Sequence, residues 1–337
     1  MSPTASPSLS EPQPEAEPAP AARGGRAVAV AGTVISVLTI AGVVWWALQQ
    51  EPPDLPSTSG EILALVAAVA LYFTACAVRA ERWLLLMRHN GGHPLRRDMY
   101  ALTAVGYMGN NVLPARAGDA LRVVFLHPRV DTDRRTIIGT LLAERVLDIV
   151  VLATLFAVLA FGALQGIEVP EGGRVALGLA LVGGLGAGAA GTWWLLQRTG
   201  RAAQLRTFVT PMLAALTRLR GRHLVEALAL SVTIWTIELV VWWVTGIASG
   251  LDVGLLEAGF ILALSSMIVL IPSGPGYAGT LDVAIILATR ALGRSASAGL
   301  SYLLLLRFVI MVPITVAGFF ALLVRYGGRR GLARARV

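Results

Sequence analysis

Apolar residues in this chain gather into long runs separated by short polar loops, and two of the runs are broken where continuity is expected. Unbroken runs cover 27–48, 61–86, 136–163, 174–197, 224–248 and 298–324. Each is about the 20 residues that a helix needs to cross a ~30 Å hydrocarbon core. Two further runs, 98–127 and 255–292, are split by Pro, Gly and polar residues. One break reads Gly109-Asn110-Asn111-Val112-Leu113-Pro114-Ala115-Arg116-Ala117-Gly118-Asp119. The other reads Ile271-Pro272-Ser273-Gly274-Pro275-Gly276-Tyr277-Ala278-Gly279-Thr280-Leu281-Asp282. Each broken run is expected to form a hairpin of two shorter helices. Interrupted backbone at membrane depth is tolerated only where protein or a water-filled cavity satisfies it.

The pattern predicts an all-α polytopic membrane protein of about six full spans plus two broken or re-entrant hairpins. Composition agrees, with 55% hydrophobic and 14% charged residues and a mean hydropathy of +0.69; soluble domains carry about a quarter charged residues. Residues 1–26 are expected to be a disordered cytoplasmic tail, the Pro-, Ala-, Ser- and Glu-rich part ending at 22, and 325–337 a basic one. Between them lies a single transmembrane domain, 27–324. The run after Arg26 is too long for a signal-peptide core and is expected to be an uncleaved span.

Loop charges orient the set. Loops 49–60, 164–173 and 249–254 hold Glu51, Asp54, Glu168, Glu171 and Asp252 and no arginine, whereas arginines crowd 198–223 and the C-terminal tail. Both termini are therefore expected in the cytoplasm, with Arg290 and Arg294 as outside exceptions. Trp45, Trp46, Trp242 and Trp243 fall at outer ends and Trp83, Trp193 and Trp194 at inner ends, as interfacial tryptophans do. Trp235 lies mid-span without such a reason. The two hairpins then enter from opposite sides, within units of like order, 61–163 and 224–324. The spacing from Asp119 to Arg145 matches that from Asp282 to Arg307 to within a single position. Like order with opposite direction is what an inverted-topology repeat requires, and transport sites form at its broken helices.

The net charge of +8 has arginine as its only source of cations besides histidine, there being no lysine. These cations sit in short loops between spans, so a nucleic-acid partner is not expected. Cys76 is the only cysteine, which excludes a disulfide within the chain and a paired-cysteine metal site. No G-x-S-x-G, H-E-x-x-H or P-loop is present, and His89, His93, His127 and His223 are scattered. Neither enzyme activity, metal nor cofactor is expected. Without a nucleotide-binding signature, any transport would run downhill or couple to ions or membrane potential.

Glu144, Arg145 and Asp148 lie within one expected span, Arg145 roughly 14 Å from its start. Arg145 and Asp148 share a helical face. Arg307 is about 13 Å inside the last span. An isolated charge at mid-span costs ~2.5–3.5 kcal/mol, so these groups must be paired or solvated. Two readings stay open: structural ion pairs, Asp119 with Arg145 and Asp282 with Arg307, or a polar cavity whose arginines receive a phosphate, which the planar guanidinium suits. Helices starting near Ala117 and Thr280 would present free N–H groups, with Thr280 as N-cap and Asp119 and Asp282 able to occupy the same helix starts. Arg79, Glu81 and Arg82 are expected to snorkel at the end of their span. Arg116 and Arg122 read equally as headgroup contacts and loop charges, and Glu238 is a candidate cavity residue.

Asn111, Pro114, Arg116, Gly118, Asp119, Arg122, Glu144, Arg145, Asp148, the stretch from Pro275-Gly276 to Asp282, and Arg307 together resemble the lysylphosphatidylglycerol synthase transmembrane (flippase-like) family. The resemblance covers roughly 30–325. Both motif acids are Asp here where the family more often has Glu, and Tyr277-Ala278 replaces a glycine-rich stretch. The resemblance implies a bacterial-type cytoplasmic membrane protein that binds or translocates an anionic or aminoacylated phospholipid headgroup. It implies Arg145, Arg307, Asn111, Arg116 and Thr280 as lipid- or anion-contacting residues, with Asp119, Glu144, Asp148 and Asp282 as charge partners. Bifunctional relatives resembling the multiple peptide resistance factor add a soluble synthase domain, which is not expected within the short stretch 325–337 after the last span. The alternative is an accessory subunit presenting a polyprenyl- or hopanoid-type lipid to a partner membrane enzyme.

Overall fold

A computed structural model describes residue 45, residues 55–113 and 117–159, residues 198, 210 and 214, and residues 217–268 and 275–327. The expected span 174–197, all of 27–48 but residue 45, the tail 1–26, residues 328–337 and motif residues Pro114 to Arg116 and Ile271 to Gly274 lie outside these, while Arg325 and Tyr326, expected in the C-terminal tail, belong to the last helix. Among the described residues there are eight α-helices and no strand. They are α1 Ser59–His89, α2 Arg96–Val112, α3 Ala117–Leu126, α4 Arg134–Val158, α5 Arg222–Ala248, α6 Leu255–Ile268, α7 Thr280–Ala291 and α8 Ala296–Tyr326. Both interrupted runs are pairs of short helices, α2–α3 and α6–α7, as expected where Pro lacks the helix donor and Gly readily leaves the helical conformation. Among the described residues three helices, α1, α5 and α8, are long and apolar enough to cross a membrane. The chain is an integral membrane protein.

Local chemistry sets the ends. Thr58 caps α1: its hydroxyl accepts from the Glu61 N–H (3.2 Å), while the Glu61 carboxylate accepts from the Thr58 N–H (3.0 Å). Ser295 caps α8 by accepting from the Ala298 N–H, and Gly327 ends that helix in the left-handed conformation at φ 67°. The α2–α3 hairpin closes because it has glycines where the helices touch. A Cβ on Gly118 would stand 1.9 Å from the Gly106 carbonyl oxygen, and one on Gly109 would stand 2.5 Å from the Gly118 Cα.

The long helices α1 and α5 lie along each other, α8 packs on α2, and α4 contacts both α5 and α6. Three apolar clusters result, a small one on Leu86, Ala143, Leu147, Leu219 and Ala227 and two large ones. One gathers Ala68, Tyr72 and Cys76 of α1 with α5, α6, α7 and most of α8. The other gathers Ala80, Trp83, Leu84 and Met87 of α1 with α2, α3, α4 and the end of α8. Along α1 the changeover falls at Arg79 and Arg82, which places a charged layer between two apolar ones.

Candidate functional site

Arg79 and Arg82 stand three residues apart on one face of α1 and are both buried. Arg82 grips Asp148 of α4 with both arms, Nη1 to Oδ1 at 2.7 Å and Nη2 to Oδ2 at 3.2 Å, and donates to Ser231 Oγ of α5 at 2.7 Å. Its Nη2 lies 3.8 Å from Glu144. Arg79 donates to Glu238 of α5 at 2.7 Å. The snorkelling reading therefore fails for both. The run read as ending at 86 continues helically to His89, so Arg79 lies about 15 Å from the helix end, too deep for its head to reach an interface.

On α4, Glu144 and Asp148 share a face turned to these cations, and Arg145 points aside. Arg145 and Asp148, three apart on α4, take different partners: Arg82 holds Asp148, and Arg145 Nη2 reaches Asp119 of α3 at 3.3 Å. Arg122 is no loop charge either. It is buried, donates to Glu144 at 2.9 Å, and lays its guanidinium 3.9 Å from the centre of the Trp83 ring, a favourable cation–π placement. Trp83 in turn donates to Thr140 at 3.0 Å. Trp235, without a reason in the sequence, donates its indole N–H to Asp148 at 3.1 Å and faces Arg79 at 5.2 Å. Four arginines, 79, 82, 122 and 145, thus meet four carboxylates, 119, 144, 148 and 238. Near-neutrality with hydrogen-bonded geometry is what allows buried charges to persist.

In the second unit Arg307 pairs with Asp282 and also donates to the Gly276 carbonyl at 3.3 Å. The expected pairs Asp119–Arg145 and Asp282–Arg307 are both present. Thr280 is not a cap: it is the first residue of α7, its hydroxyl donating to the Tyr277 carbonyl at 3.2 Å, and the cap position is Gly279. Asp282 itself takes the Gly279 N–H at 2.8 Å, so a carboxylate already fills that helix start. Tyr277 adopts φ 55° between Gly276 at 61° and Gly279 at 89°, so the turn stays tight without the family's glycine there. Asn111, at the end of α2, donates to Thr315 of α8 at 2.9 Å, and a Cβ on Gly276 would lie 3.4 Å from the Asn111 carbonyl. The two broken segments meet beside α8. Arg294, expected on the outside, pairs with Glu257 at 3.2 Å.

A cleft of about 260 Å³ opens beside this layer, with Arg79, Arg145, Asp148 and Glu238 in its wall together with Tyr107, Trp235, Trp242 and Tyr277. Adjoining it, Arg79, Arg82, Arg122, Arg145, Glu144 and Asp148 border a small space of about 10 Å³, roughly the room one water needs. The cleft offers hydrogen-bond donors, carboxylates and aromatic faces on one largely apolar surface, the mix of apolar wall and few polar groups that ligand pockets have.

A family model described as lysylphosphatidylglycerol synthase TM region matches residues 30–318. The glycosyltransferase AglD of Haloferax volcanii is 31% identical over 139 residues, which are 41% of this chain and 22% of that protein. The chain thus matches less than a quarter of that relative's length. No solved structure matches.

Proposed function

The chain belongs to the lysylphosphatidylglycerol synthase transmembrane-region family, and from that premise we propose that it is a flippase-like protein carrying an anionic or aminoacylated phospholipid headgroup. The headgroup sits in the 260 Å³ cleft, its phosphate towards Arg145 and any ammonium towards the carboxylates and aromatic rings. The observation that carries this reading is the placement of Arg145. Its side chain is 36% exposed, while Arg79, Arg82 and Arg122 of the same charged layer are buried.

Exchange of the two units supports an inverted repeat. Swapping α1 with α5, α2 with α6 and α4 with α8 leaves the α1–α5 contact in place and turns the α2–α8 contact into α6–α4, and both of these exist. In this reading the chain is a multi-pass protein of a bacterial-type cytoplasmic membrane, the hairpins dip in from opposite faces, and no covalent chemistry is performed.

The test is reconstitution of the full chain in liposomes containing phosphatidylglycerol labelled on its headgroup, and separately a labelled aminoacylated form, followed by an impermeant quencher. Loss of inner-leaflet signal faster than in empty liposomes is expected for at least one lipid. Rates equal to empty liposomes for both defeat the reading. A second reading has one observation in its favour: the stretch similar to this chain is 22% of a protein named as a glycosyltransferase. There the same membrane module would present a lipid to an enzyme, and stable co-purification with such an enzyme, with no exchange by the chain alone, would favour it.

A further inference from the structure

We infer, on the footing of the headgroup reading, that Asp119 is a tethered competitor for Arg145, occupying the guanidinium until a phosphoryl oxyanion displaces it. The four arginines of the charged layer are not equally held. Arg79, Arg82 and Arg122 have side chains 9% exposed or less, with their best carboxylate contacts at 2.7, 2.7 and 2.9 Å. Turning any of them away would take the closest cation from a buried carboxylate, which is unfavourable. Arg145 differs on each count. Its contacts with Asp119 are 3.3 and 3.5 Å, both through Nη2, and Asp119 is itself 26% exposed.

Releasing Arg145 does not strand Asp119, because Arg122 Nη1 stands 3.7 Å from it. The released guanidinium already lies in the wall of the cleft. A phosphodiester offers it the same planar pair of oxygens that a carboxylate does. In the second unit Arg307 is bonded to Asp282, which is buried and takes the backbone N–H of Gly279 at 2.8 Å, and also donates to the Gly276 carbonyl at 3.3 Å. Asp119 sets the affinity of Arg145 by competing with the ligand.

An ion pair of this exposure is worth up to ~1 kcal/mol, about fivefold in a dissociation constant. The experiment titrates the detergent-purified full chain calorimetrically with dihexanoyl phosphatidylglycerol and, separately, with inorganic phosphate. D119N is expected to bind about fivefold more tightly than the parent, R145Q to lose binding, and D119N/R145Q to bind no better than R145Q. A gain for both probes supports the competitor and assigns the site to the oxyanion alone. A gain for the lipid only supports it and adds the glycerol ester to what is recognised.

D119N that melts within a few degrees of the parent but binds no more tightly overturns the proposal. Should D119N fail to fold, D119E carries the test. Its extra methylene closes the gap to Arg145 while keeping the charge, so weaker binding is expected, and equal or tighter binding overturns the proposal. Binding that R145Q abolishes but no change at 119 alters sinks the competitor and spares the headgroup reading. Absence of binding by every form, parent included, sinks both.

Discussion

Arg82→Met separates the buried charged layer from a set of interfacial arginines by a wide margin. Were Arg82 a snorkelling surface residue, its loss would change stability by about 0.5 kcal/mol or less. In the structure it is 1% exposed, bidentate to Asp148, bonded to Ser231 and 3.8 Å from Glu144. Methionine fills the aliphatic volume but leaves Asp148 to the Trp235 indole and Glu144 to Arg122. Removing one partner of a buried pair costs ~3–5 kcal/mol, and that is the expected loss. The measurement is reversible unfolding in mixed micelles of rising dodecyl sulfate content, followed by helical circular dichroism. Asp148→Asn in the same background removes the stranded charge, and the double variant is expected to be ~1–3 kcal/mol more stable than the two single losses summed. A single-variant loss no larger than that of a surface residue, or strict additivity in the double, would refute the reasoning.

Gly118→Ala puts a Cβ 1.9 Å from the Gly106 carbonyl oxygen and 2.6 Å from the Asn110 nitrogen. Both obstacles are backbone, so a loss of about 2 kcal/mol or more is expected in the same unfolding assay, whereas Gly60→Ala, with nothing nearer than 4.0 Å, should stay within ~0.5 kcal/mol. Trp235→Phe keeps a ring beside Arg79 but deletes the donor to Asp148; a loss of ~1.5–3 kcal/mol is expected, the range for a hydrogen bond to a charged group. An unchanged unfolding midpoint would mean that the indole contact contributes nothing.

The helical elements were legible from hydropathy because a membrane helix must satisfy its own backbone and cover itself with apolar side chains. Hence 61–86, 136–163, 224–248 and 298–324 correspond to α1, α4, α5 and α8, and the breaks at 109–119 and 271–282 correspond to the two short-helix pairs. Asp119–Arg145 and Asp282–Arg307 were legible from matched spacing, since each acid opens a short helix and each arginine sits at like depth in the helix that follows.

Partner choice across helices was not legible. Arg79, Arg82 and Arg122 were read as interfacial or loop charges because a sequence run shows only how far a residue is from the end of its own helix. Which helix stands opposite depends on glycine contacts such as Gly106 with Gly118 and on the α1–α5 packing. That packing carries Glu238 and Ser231 to the arginines of α1, and it gives Trp235 the partner that its own helix could not. Pairing between charges on helices distant in sequence, as in Arg82 with Asp148, leaves no periodic trace along the chain. The linear code specified which segments are helical and that Glu144, Arg145, Asp148 and Arg307 stand well inside their helices; only the folded arrangement decided that Arg79, Arg82 and Arg122 are buried and who neutralises whom, because the electrostatic energy depends on distance in space.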